Sequence, residues 1–210
     1  MHSDDHLESV EALKLRFESS VEKSIELHER LLSEAVARCL QRIVTRGRSF
    51  LFRPFEPEIF GFAAPQVLNK MPAKLSDVYI NYLDTEGKVH LVEQMIDTAK
   101  PRNREFFTYG HNLVQSCYFF YAGNPKVRNV SDYIYQDNLL KEVVNYGGSG
   151  ASIWTYSYKG QLVSSILIRE KEHAEPKFSN RLLDFEYIGD ALSKITSTFE
   201  NGYQELIYPK

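Results

Sequence analysis

The sequence predicts an α+β fold: an antiparallel sheet of hairpins packed against a long N-terminal helix and a C-terminal helix, in a single domain spanning 1-210. Three observations carry that prediction. Apolar residues recur at helical spacing through the first 43 positions, two apolar segment pairs flank hairpin-type turns, and no strand-helix-strand alternation asks for a parallel sheet. At 210 residues the chain can bury a core without disulfides or metal.

The N-terminal helix is expected over 5-47. Asp5 followed by Glu8 reads as a capping box, Val10, Leu13, Phe17, Val21, Ile25, Leu32, Val36, Cys39 and Ile43 form the apolar seam, and Gly47 reads as the C-cap. Residues 1–34 hold nine acids and four bases, while residues 35–54 hold five arginines and no acid, the polarity a helix dipole favours. As one straight rod, residues 8–46 would run ~58 Å, against a diameter of about 40 Å for a compact chain of this length. The helix therefore either breaks, near Ser19-Ser20 or Ser33, or projects and offers a homodimer seam or a docking surface for a partner.

Four prolines between Pro54 and Pro72 then mark a loop. Val78 to Leu83 and Lys88 to Met95 flank Asp84-Thr85-Glu86-Gly87 as a hairpin, Lys100 to Arg104 reads as a basic turn, and Leu113 to Tyr121 as a strand. Asp137 to Val144 is expected as a short helix and Gly147-Gly148-Ser149-Gly150 as a flexible entry to the next strand. Ile153 to Tyr158 and Gln161 to Arg169 flank Lys159-Gly160 as a second hairpin. Leu182 to Ile188 fits a last strand or the entry to the C-terminal helix, whose face is Leu192, Ile195, Phe199, Tyr203 and Leu206.

The two hairpins share a pattern, Tyr82-Leu83-Asp84-Thr85-Glu86-Gly87-Lys88-Val89 and Tyr156-Ser157-Tyr158-Lys159-Gly160-Gln161-Leu162. Over about 15 residues it resembles the tyrosine and glycine repeats of bacterial wrapping proteins of the Rhs family. The second copy lacks the Asp and neither copy belongs to a tandem array. Tyrosine before a turn and glycine inside it suit any exposed hairpin.

Charge and targeting narrow the function. A net charge of 25 − 28 = −3 provides no general field toward nucleic acid. The start of the sequence lacks the basic and apolar regions of a signal peptide, and no window approaches a membrane span, so a cytoplasmic chain without a membrane partner is expected. Cys39 and Cys117 suit reduced thiols in that compartment.

Catalytic motifs are thin. Gly147 to Gly150 lacks the Lys-Ser/Thr of a phosphate loop, the third glycine of a dinucleotide fingerprint and the strand-to-helix turn of a nucleophile elbow. Cys117 with His111 resembles a thiol and base only if the chain reverses between them. His2 and His6 have i,i+4 spacing without a metal motif around them, so neither cofactor nor metal is expected. His28, between Ile25 and Leu32, suits a register-fixing polar residue or a half-exposed flank.

Two features suggest a binding surface. Arg38, Arg42 and Arg46 form a stripe if helical, with Arg48 and Arg53 beyond it. Trp154, Tyr156 and Tyr158 share one strand face and Tyr82 lies in the other hairpin, so an uncovered sheet would present rings to a partner. The expected function is accordingly a non-enzymatic protein-binding module, such as an inhibitor or immunity-type protein that caps another protein. The alternative is a small-ligand protein or enzyme with an aromatic pocket between the sheet and the C-terminal helix, its polar groups drawn from His90, His111 or Glu93.

Overall fold

The computed structural model describes residues 3–96 and 101–209, with side chains described from residue 8 onward. Thirteen strands form one antiparallel sheet: β1 Gln41–Arg46, β2 Gln66–Leu68, β3 Val78–Leu83, β4 Val89–Met95, β5 Pro101–Gly110, β6 Leu113–Ala122, β7 Asn124–Gln136, β8 Leu139–Gly147, β9 Gly150–Lys159, β10 Leu162–Glu172, β11 Ser179–Ile188, β12 Ala191–Phe199 and β13 Gln204–Tyr208. From β3 to β13 every strand pairs with the next in sequence, and β1 lies between β3 and β2. Helices α1 Ser3–Glu22 and α2 Ser24–Arg38 precede the sheet, and the short α3 Glu56–Phe60 lies between β1 and β2.

The antiparallel sheet of hairpins is as expected, and several elements are corrected. The long helix breaks at Lys23, where the Ser24 hydroxyl bonds to Pro125 and Val127 of β7 and ties the joint to the sheet. It ends at Arg38 because the β-branched run Ile43-Val44-Thr45 pairs along β3, leaving Gly47 in a turn at φ +78°. The Asp5 side chain of the capping box, like those of His2 and His6, lies outside the described side chains.

The expected C-terminal helix is instead β12 and β13. Turns at Gly189 and Gly202 bound a segment rich in β-branched residues, and Ile195 and Ser197, two apart, are both fully buried. Asp137 to Val144 is likewise no helix. Asp137 and Asn138 both have positive φ and turn β7 into β8. Lys100 lies outside the described residues, and Pro101 to Arg104 open β5.

Each face of the sheet has its own cover. Helices α1 and α2 lie over one face, burying Leu13 and Ala35 against Leu91, Phe106, Phe119, Val130, Val144 and Ile153. The segment 48–60 crosses the other face, with Phe50, Phe52, Phe55 and Ile59 on Phe107, Tyr133, Trp154, Tyr156, Ile166 and Phe185. Phe52 stacks on Phe107 of β5 and Phe55 packs at a tilt against Phe185 of β11, at 4.6 and 5.1 Å between ring centroids. A flat sheet would set those strands ~29 Å apart, whereas three residues extend at most ~10 Å. The sheet curls around the segment, and this second face is concave.

Candidate functional site

The concave face divides along its strands into an apolar half and a polar half. Apolar rows, such as Val143, Trp154 and Ile168, lie under the crossing segment. Toward the turns at Gly123 and Gly148, the paired positions become Ser116, Ser131, Asn145, Ser152, Glu170 and Ser179, one from each strand β6 to β11. A second row runs Glu105, Tyr118, Asn129, Gly147, Gly150 and Glu172. Most of these residues line an open trough of about 1320 Å³, walled on one side by Arg48 and Arg53.

Local pairing organises this floor. Asn145 donates to the Ser131 hydroxyl at 2.8 Å. Arg48 donates to Glu105 at 2.5 Å. Burial is the largest single influence on Arg48 and opposes its charge, but the Glu105 carboxylate, with Tyr133, Glu56 and Tyr118 adding to it, outweighs burial and raises the guanidinium pKa. Arg53 pairs with Glu56 and lies 4.7 Å from the centre of the Trp154 ring. Burial pushes the nearby Tyr133 phenol up to about 12, so the wall is neutral hydroxyl and paired charge near pH 7.

Gly150 is held by close backbone approach. A Cβ there would sit 2.1 Å from the Lys171 carbonyl oxygen, and one at Gly147 2.7 Å from that of Arg128. The Gly147 to Gly150 stretch is thus a tight hairpin turn, not a flexible entry. No phosphate loop is built from it.

The aromatic residues expected to face a partner are placed differently. Trp154 and Tyr156 are 1% and 3% exposed beneath the crossing segment, and Tyr158 is half-buried and donates to the Leu140 carbonyl. Tyr82 is buried on the opposite face and donates to Glu93 at 2.6 Å. The open Tyr/Trp face is therefore corrected: Pro54 and its neighbours carry rings that fill it.

The arginine stripe also dissolves. Arg38 ends α2, while Arg42 and Arg46 lie on β1, where Arg42 sits 4.8 Å from the Tyr82 ring centre. All three are exposed, and only Arg48 and Arg53, noted just beyond the stripe, reach the trough.

The other candidates do not converge. His90 bonds to Asp84 at 2.8 Å, Glu93 accepts from Arg104 at 2.7 Å, and His111 is exposed at the β5-β6 turn. Cys117 pairs with Phe106 in mid-strand, away from that turn, and burial pushes its thiol up to about 12. Among the described residues there is no group of three or more His, Cys, Asp or Glu side chains placed to hold a metal ion. No described helix is long and apolar enough to cross a membrane.

Sequence reasoning missed the serine and asparagine rows. Each contributes one polar residue to an otherwise ordinary strand, and only the cross-strand register joins them. No protein-family model matches the chain, and no curated protein matches it in sequence.

Proposed function

We propose that the chain is a non-enzymatic binding protein that receives a segment of another protein in the concave trough, as an inhibitor or immunity-type protein caps its partner. One observation carries the reading. Half of a sheet face continuous with an apolar core is paved with hydroxyl and amide groups and left open. Polar floors stabilise a fold less than apolar ones do, so a binding role accounts for what stability alone does not.

Size favours a chain segment over a small molecule. The trough's 1320 Å³ exceeds the ~300–1,000 Å³ usual for small-ligand pockets. The alternative aromatic pocket under a C-terminal helix loses its wall, because that segment is β12 and β13.

The test compares partner retention by the immobilised full chain and by variants that block the floor. Asn145→Arg and Ser152→Arg are expected to lose the partner by about tenfold or more, with thermal midpoints near that of the parent. Leu15→Lys, on the outer face of α1 where Leu15 is 60% exposed, is the control expected to retain it. Full retention by both arginine variants would remove the trough as the site.

A further inference from the structure

Charge is unevenly distributed along the trough. At the β5 to β7 end Arg48 pairs with Glu105 through one terminal nitrogen and keeps a buried Nε without a partner, and Arg128 is a cation with no ion pair among the described residues. At the β10 to β12 end the lining holds Glu170, Glu172, Glu175 and Glu200 against Lys171 and Lys177. Lys171 also lines a separate cavity beside α1. Glu172 and Glu175 make no ion pair among the described residues, and Glu170 has only a 3.8 Å approach from Arg181.

The neighbouring amide shows the same excess of acceptors. Asn180 gives an amide hydrogen to Glu200, and its Oδ1 is left without a donor. One end of the trough is therefore rich in acceptors, next to a floor of hydroxyl and amide groups that suits an extended backbone.

We infer that the segment received by the trough carries lysine or arginine side chains where it crosses β10 to β12. This rests on the trough being the binding site. Each exposed ion pair contributes little, but complementary charge along a groove sets the direction of the bound chain and speeds its encounter. A basic segment end placed at β5 to β7 would instead meet Arg128.

The probes are short peptides of glycine, serine and asparagine bearing several lysines, several glutamates or no charge, added to the full chain. Trp154 is the only tryptophan, and its ring lies beneath Arg53 on the trough wall, so its fluorescence reports occupancy, with calorimetry as a second measure. The lysine peptide is expected to bind roughly tenfold more tightly than the glutamate peptide at low salt, the gap closing as salt rises. The pair Glu172→Lys and Glu175→Lys, both exposed, should reverse that order without unfolding the chain.

Equal affinities for all three peptides, an order that survives the reversal, or no binding by any peptide would each overturn the inference. If floor-blocking variants still lose the native partner in those cases, the trough reading stands and only its charge preference falls. If the partner is also retained, both fall.

Discussion

His28 fixes how α2 docks. Its ring is 6% exposed and meets Phe106, Phe119 and Tyr121 edge-on, with centroids 5.3–5.6 Å away. Nε2 lies within hydrogen-bonding distance of the Tyr121 hydroxyl and 3.1 Å from an Arg104 nitrogen, which can only donate. Burial, and then the adjacent Arg104 charge, pull the pKa from 6.5 to about 4, with Glu93 opposing. The folded chain thus prefers neutral His28, while the unfolded chain binds a proton near pH 6.5. This contribution is complete above pH 6.5 and is lost as pH falls toward 4. The loss should be on the order of 2 kcal/mol. Urea midpoints between pH 7.5 and 4 are expected to fall more steeply for the parent than for His28→Gln, and parallel curves would refute the assignment. The sequence placed His28 beside the apolar seam, but its pairing with Arg104 spans 76 residues and has no local signature.

At the scale of elements, the β8-β9 turn separates two kinds of glycine. Gly150 faces the Lys171 carbonyl of β10 and Gly148 faces open space. A backbone carbonyl in a paired strand cannot swing aside as a side-chain tip can. Gly150→Ala should therefore destabilise by about 3 kcal/mol through a forced strand shift, and Gly148→Ala by less than about 1 kcal/mol. Thermal melts of the two variants check this, and similar losses would contradict the close approach. The four-residue glycine-rich motif was visible in the sequence, but its meaning was not, because the atoms that exclude a side chain belong to a strand about twenty residues away. Helix periodicity misled for a related reason. Leu192, Ile195 and Phe199 satisfy a three-four spacing by chance, while the turns at Gly189 and Asn201-Gly202 and the run Ile195-Thr196-Ser197-Thr198 favour a strand pair.

Across the whole molecule one hairpin unit repeats. Tyr109, Tyr135, Tyr158 and Tyr187 each stand two residues before a turn, and three of them donate to a carbonyl on the preceding strand, at Val89, Leu140 and Val163. The motif of tyrosine, one residue, a two-residue turn and two apolar residues is present in the sequence at all four places, but uneven spacing and the expected helices concealed it. The meander of such units curls around segment 48–60, whose rings fill the inside. Phe52 lies on β5 and β7, and Phe55 on β11. If one curl seats both rings, removing either should loosen the seat of the other. Phe52→Ala and Phe55→Ala are each expected to cost about 3 kcal/mol, and the double variant less than their sum by at least about 0.5 kcal/mol. On a sheet that kept its shape without the segment, rings on separate strands would behave independently and the two losses would add. Chemical denaturation of the four proteins in the cycle distinguishes these outcomes, and additivity would mean that the curl is intrinsic to the hairpins, with the segment only filling it.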